Sequence, residues 1–181
     1  RTVSTSAFER HRPVFRGHIG RLLPKSRDAS VLDIGCGYGA FLYFLQKEGY
    51  TNAAGVDTNV DLLDMARGFG VRNLHHADIM DFLDQHPRSF DSIVALDVIE
   101  HFPRDATFPL LAAAYAALKP QGSFVMQSPN ASGPFGSRLR YEDFSHTVAF
   151  TRGSAEQVLS AAGFGNVGVF PTEPVVHGTK S

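Results

Sequence analysis

The sequence predicts an α/β fold, a doubly wound, mostly parallel sheet between helix layers in a three-layer α/β/α arrangement. Three observations carry this. Val31–Ile34 reads Val-Leu-Asp-Ile, a short buried strand that runs into Gly35, Gly37 and Gly39 at alternate positions and then into a helical apolar pattern over Ala40–Lys47. Further short apolar runs follow, each succeeded by a helical pattern, with Ile93–Leu96 the most continuous. The chain has 181 residues with 43% hydrophobic content, which suits one domain with a substantial core, and it contains no internal repeat.

Taken in order, Ala7–Leu23 carries an imperfect helical stripe of Phe8, Val14, Phe15, Ile19, Leu22 and Leu23, interrupted by Pro13, and predicts one or two helices in an N-terminal cap over residues 1–29. Gly49 ends the helix after the glycine turn. Ala53–Val56 is the second strand and finishes at Asp57, with a helix starting near Asn59–Asp61. Val71–Ala77 is a modest third strand before Asp78 and Ile79, and Phe90–Leu96 is the fourth. Arg104–Leu118 is an Ala- and Leu-rich helix containing Pro109, stopped by Lys119–Gly122, and Ser123–Gln127 is the fifth strand. Residues 128–150 form a long irregular segment, read as a substrate lid, holding Asn130, Arg138, Arg140, Tyr141, Asp143 and His146. Thr151 caps a helix to Ala162, Gly163 follows as its C-terminal stop, and Asn166–Phe170 is a sixth strand.

The glycine turn is a ligand seat, because its backbone can be closely approached and the following helix presents unpaired N–H groups. Gly35, Gly37 and Ala40 also fit the dinucleotide pattern, in which a pyrophosphate faces the helix. Asp33 argues against that ligand, since a carboxylate there repels phosphate and attracts a cation such as an amino acid's ammonium. Asp57, at the end of the second strand, suits both hydroxyls of a ribose, or the cap of the next helix.

The order acid-x-Gly-x-Gly-x-Gly resembles motif I of the class I, Rossmann-like S-adenosylmethionine-dependent methyltransferases. The segment Asp97-Val98-Ile99-Glu100-His101-Phe102 is similar to the one after the fourth strand in small-molecule members, including the ubiquinone-biosynthesis O-methyltransferases, and Leu118–Gly122 matches the family's lead-in to the fifth strand. The resemblance implies S-adenosyl-L-methionine as cofactor, with S-adenosyl-L-homocysteine as product. It implies cofactor contacts at Asp33, Gly35, Cys36, Gly37, Gly39, Asp57, Thr58, Asp78, Ile79, Asp97 and Val98, with Asp78 meeting the adenine amino group and Ile79 the ring; a helix cap is the alternative for Asp78. That family's fold has an antiparallel seventh strand between the fifth and sixth. Only residues 171–181 follow Phe170, so that strand is expected to be missing, and the chain is expected to be truncated there and trimmed before Arg1.

A hydroxyl acceptor must lose a proton as the methyl arrives, and the candidate bases are His101 and His146. The expectation is O-methylation of a small molecule or glycan precursor, with N- and C-methylation open. Asp97, Glu100, His101 and His146 also resemble, in spacing, the metal-holding set of small-RNA 2′-O-methyltransferases. No metal residue is assigned on that ground, and a metal-assisted RNA methyltransferase stands as an alternative, beside a nicotinamide-dependent oxidoreductase and a non-catalytic S-adenosylmethionine-binding protein. Lys and Arg number 17 against 18 Asp and Glu, a net charge of −1, which gives no basic footprint for nucleic acid. One cysteine, no apolar run of membrane length and no signal-peptide core predict a cytoplasmic protein with a small-molecule partner, and a homodimer is left open.

Overall fold

The computed structural model describes residues 5–133, 136, 141 and 143–172. Five parallel strands, β1 (Val31–Ile34), β2 (Ala53–Asp57), β3 (Leu74–His76), β4 (Phe90–Leu96) and β5 (Leu118–Gln127), lie in the order β3-β2-β1-β4-β5. The α-helices whose bounds fall among the described residues are α1 (Thr5–His18), α2 (Ala40–Lys47), α3 (Val60–Gly68), α4 (Ile79–Asp84), α5 (Arg104–Ala117) and α6 (Arg152–Ala161).

Strand alternation divides the core in two. Val31, Val94 and Val125 join the side packed by α1, α2 and α3, around Phe41, Phe44, Leu45 and Leu63. Leu32, Ile34, Ile93 and Ala95 face the other side, packed by α4, α5 and α6 around Phe82, Leu110, Leu111 and Leu159. The doubly wound, three-layer expectation is thereby met.

Pro13 lies inside a single helix, followed by a 3-10 turn at Gly20–Leu22. Tertiary contacts hold α1 down despite the lost backbone bond. Phe8 is fully buried and stacks on Tyr38 of the glycine turn at 5.8 Å between centroids, Tyr43 Oη donates to Glu9 at 2.9 Å, and Arg12 and Arg16 both reach Glu48. Gly55 on β2 pairs with Asp33 on β1, and a Cβ there would lie 2.4 Å from Leu42 Cδ1 and 2.7 Å from Cys36 Sγ. Gly55→Ala is expected to cost about 1–3 kcal/mol, measured by denaturant unfolding, because the overpacked atoms are buried on all sides.

Three boundaries differ from expectation. β3 is confined to Leu74–His76, because Asn73 turns the chain at φ 55° and sends its side-chain amide to Ala53 O at 3.0 Å. β5 starts at Leu118, absorbing the expected stop at Lys119–Gly122 through a register irregularity opposite Phe90 and Ser92. Asn166–Phe170 forms no strand. β5 pairs on one side with β4 alone, and an open groove of about 1890 Å³ lies between β5 and residues 163–172, so the segment has no ladder partner to extend it. Among the described residues no helix is long and apolar enough to cross a membrane.

Candidate functional site

The crevice lies where β1 and β4, neighbours in the sheet, send their chains to opposite faces: β1 into α2 and β4 through a 3-10 turn, Ile99–His101, toward α5. Gly35 joins the two exits. At φ 66°, a Cβ on it would stand 2.6 Å from Val98 Cγ2, so the glycine turn and the segment after β4 interlock through the missing side chain. Gly37, at φ 52°, is open by contrast, with Leu62 Cδ1 at 4.0 Å its nearest neighbour, and another molecule can approach its backbone there. Gly39 opens α2 in the left-handed conformation.

Asp57 braces this turn. Its Oδ2 accepts from Gly37 N at 2.8 Å and its Oδ1 from Asn59 N at 2.8 Å, which leaves lone pairs on both oxygens for further donors. The cap of α3 is Asn59, which accepts from Leu62 N at 3.1 Å, so Asp57 is not spent on that helix. Thr58 is exposed, and its carbonyl is 3.0 Å from His76 Nε2, a neighbour with no signal in the sequence. Asp78 does cap α4, taking Met80 N and Asp81 N on Oδ1, and Ile79 is buried with Phe82 in the core. The helix-cap alternative for Asp78 is therefore realised.

Asp33 is 3% exposed on β1. Burial, with the Asp57 charge adding to it, holds its carboxyl well above the usual carboxylate range, and no cationic side chain among the described residues offsets this. A buried acid without a cation beside an open glycine turn is a fit for a ligand that brings its own positive charge. Cys36 packs inward against Gly55, and burial, with Asp33 and Asp57 adding, pushes its thiol up, so its side chain is a packing group.

The second cluster is at the end of β4. Asp97 takes φ 54°, and its carboxylate accepts from Gln127 Nε2 at 3.2 Å. Glu100 is 1% exposed and neither of its carboxylate oxygens has a hydrogen-bond partner; burial first, then Asp97, raises its pKa. The far end of the 128–150 segment is stitched to this turn. Thr147 N donates to Glu100 O at 2.8 Å, Val148 N reaches the same carbonyl, and Thr147 Oγ1 donates to Phe102 O. His146 thereby comes over His101, with ring centroids 4.9 Å apart. Ser145 Oγ lies 2.5 Å from Asp143 Oδ1 and 2.9 Å from His101 Nδ1. The carboxylate can only accept, so the hydroxyl proton goes to Asp143 and the oxygen accepts from His101 Nδ1–H, leaving Nε2 with the lone pair.

The residues expected from the sequence thus fall into two groups, joined by the Gly35–Val98 contact. Asp33, Gly37 and Asp57 surround the glycine turn, and Glu100, His101 and His146 cluster after β4, with Asp97 turned aside to Gln127. Arg138 and Arg140 lie outside the described residues. Ser145, Thr147 and Gly55 escaped sequence reasoning, since each acts only through a tertiary neighbour.

A parallel α/β sheet with an acid, three positive-φ glycines and a second acid at adjoining strand ends defines a Rossmann-like, class I S-adenosylmethionine-dependent methyltransferase domain. The chain belongs to that family: a family model described as a methyltransferase domain matches residues 8–169. A ubiquinone biosynthesis O-methyltransferase of Xylella fastidiosa is 31% identical over 123 residues, covering 65% of this chain and 48% of the relative. An EEF1A lysine methyltransferase 2 of Danio rerio is 29% identical over 117 residues, covering 58% and 50%. The chain thus spans about half the length of these curated relatives. The crystal structure of a SAM-dependent methyltransferase from Archaeoglobus fulgidus superposes with a TM-score of 0.74 at 26% identity, covering 91% of this chain and 76% of that one.

Proposed function

We propose that the protein transfers the methyl group of S-adenosylmethionine to a hydroxyl of a small molecule or glycan precursor. The observation that carries this reading is the pair of imidazoles, His101 and His146, held 4.9 Å apart at the end of β4 beside the glycine turn. The likeness to a ubiquinone biosynthesis O-methyltransferase supports it.

When bound, the cofactor supplies a methyl carbon already activated by its sulfonium. The protein's own work is alignment and proton removal. Asp33 answers the ammonium of the donor, the backbone around Gly37 makes room for its amino-acid portion, and Asp57 accepts from the ribose hydroxyls. Asp78 is left one carboxylate oxygen for the adenine, and Val98 fixes the floor between the two clusters. With the donor and acceptor in place, the imidazoles of His101 and His146 would stand at the end of β4 to draw off the acceptor's hydroxyl proton. The 128–150 segment serves as the lid, its far end anchored by Thr147 on Glu100 O.

The test is calorimetric titration with S-adenosylhomocysteine and, in parallel, NADH, followed by mass spectrometry of phenol, sugar and amine panels incubated with the donor. Binding of the homocysteine product and O-methylated products are expected; NADH binding alone, or methylation confined to amines, would overturn the reading. Asp57→Ala is expected to weaken S-adenosylhomocysteine binding about 10- to 100-fold, since two hydroxyls lose a charged acceptor and Gly37 loses its brace. Unchanged affinity would remove Asp57 from the ribose.

A further inference from the structure

We infer that Glu100, His101 and His146 form a binding site for one divalent cation of the borderline class, such as zinc, cobalt or ferrous iron. The ligand atoms these residues offer all lie within 4.8 Å of one another. The first supporting observation is Glu100 itself. It is 1% exposed, neither carboxylate oxygen has a hydrogen-bond partner, and its backbone carbonyl is fixed by Thr147 and Val148, so a buried acid is held in place with only the two imidazoles to offset its charge. An unpaired buried carboxylate is costly, and a cation is the partner that removes the cost.

The second observation is the orientation of His101. Its Nδ1–H is taken by Ser145 Oγ, which is in turn held by Asp143, so the lone pair on Nε2 faces away from that chain. Metal-binding histidines are fixed in this way, with the second ring nitrogen donating to a hydrogen-bonded partner that sets tautomer and ring direction. His146 follows Ser145 directly and is carried to the same place by the loop.

The donor set selects the ion. Two imidazoles and one carboxylate suit zinc, cobalt or ferrous iron, whereas magnesium, calcium and manganese favour oxygen-rich sites. Three protein ligands also leave positions open for a water or a substrate oxygen. Around an ion with bonds of about 2.1 Å the ligand atoms stand roughly 3–3.5 Å apart, so atoms up to 4.8 Å apart close by up to about 1.3–1.8 Å on loading. Exposed His101 and the loop that carries His146 can take up that movement. Asp97 is not a ligand, since its carboxylate is turned to Gln127.

This inference deepens the proposed O-methylation and rests on it for its purpose: an ion here would occupy the lone pairs of His101 and His146, so that the two imidazoles would promote proton loss as its ligands, through an acceptor hydroxyl acidified on the ion, and not as free bases. Its existence is tested without donor or acceptor. The full chain, stripped with a chelator, is titrated with zinc chloride by calorimetry and with cobalt chloride by visible absorption. One equivalent is expected to bind with a Kd of micromolar or tighter, and cobalt is expected to develop the ligand-field bands of a four- or five-coordinate site. His146→Ala, on the partly exposed loop, is expected to weaken binding at least tenfold with an unchanged circular dichroism spectrum, Glu100→Gln likewise, and Ser145→Ala about tenfold. His11→Ala serves as control and is expected to change nothing. Absence of stoichiometric binding, or full binding retained by both His146→Ala and Glu100→Gln, overturns the site. S-adenosylhomocysteine binding, measured on the same stripped chain, fails or succeeds independently, so loss of the ion and loss of the methyl-donor reading are separate results.

Discussion

Asp33→Asn is expected to weaken S-adenosylhomocysteine binding about 100-fold while making the ligand-free protein more stable at neutral pH. The two effects have one cause. Asp33 is buried on β1, and its pKa is raised first by burial and then by Asp57. A bound ammonium repays that desolvation through charge-assisted hydrogen bonds worth about 1.5–3 kcal/mol, which asparagine cannot reproduce. In the ligand-free protein the charged form has no such partner, so the amide removes the cost of burying that charge. The sign with pH follows from linkage. A carboxyl whose folded pKa exceeds its unfolded one contributes stability below the unfolded value, near 3.9, that is lost as pH rises through the folded value. The gain in Tm of Asp33→Asn over the natural chain should therefore be absent near pH 4 and grow toward neutrality. Donor affinity of the natural chain runs the other way, weakening as pH falls through the raised pKa. Scanning calorimetry across pH and titration with S-adenosylhomocysteine check both, and a variant that binds as before would take Asp33 out of the donor site.

How much of this was legible in the sequence depends on whether the signal was local. β1, α2 and β4 lie at the positions read from apolar pattern and glycine, and Thr151 caps α6 with a reciprocal bond from Ser154, because such signals are complete within a few residues. Asn166–Phe170 has strand-like residues, but a strand exists only with a ladder partner, and β5 offers none of its own on that side. β3 is shorter than Val71–Ala77 because the turn at Asn73 is fixed by a hydrogen bond from its side-chain amide to Ala53 O on another strand. At the site, the type of Asp33, Asp57, Glu100 and the histidines was visible, while their state was not. The burial of Glu100 without a partner, the turning of Asp97 to Gln127 and the hold of Ser145 on His101 are products of the loop folding back on the turn after β4.

That same loop supplies the second large effect. His101→Ala and His146→Ala are each expected to lower kcat about 100-fold or more while leaving the Kd for S-adenosylhomocysteine within about twofold, because removal of the acceptor proton belongs to the transition state and the donor's contacts lie at the glycine turn. The double variant should be little worse than either single one, since two groups that serve one proton fail together. Ser145→Ala tests how His101 is directed. Without the hydroxyl, Nδ1 loses its bond at 2.9 Å and the ring is free to present either nitrogen, so kcat should fall about tenfold with donor binding intact. Ser145→Thr keeps the hydroxyl and is expected to restore most of the rate, which a merely structural role for position 145 would not require. Rapid-quench turnover with a saturating donor separates these outcomes. If both histidine variants turn over at the natural rate, the imidazole pair serves only to order the loop, and the proton of the acceptor must leave by another route.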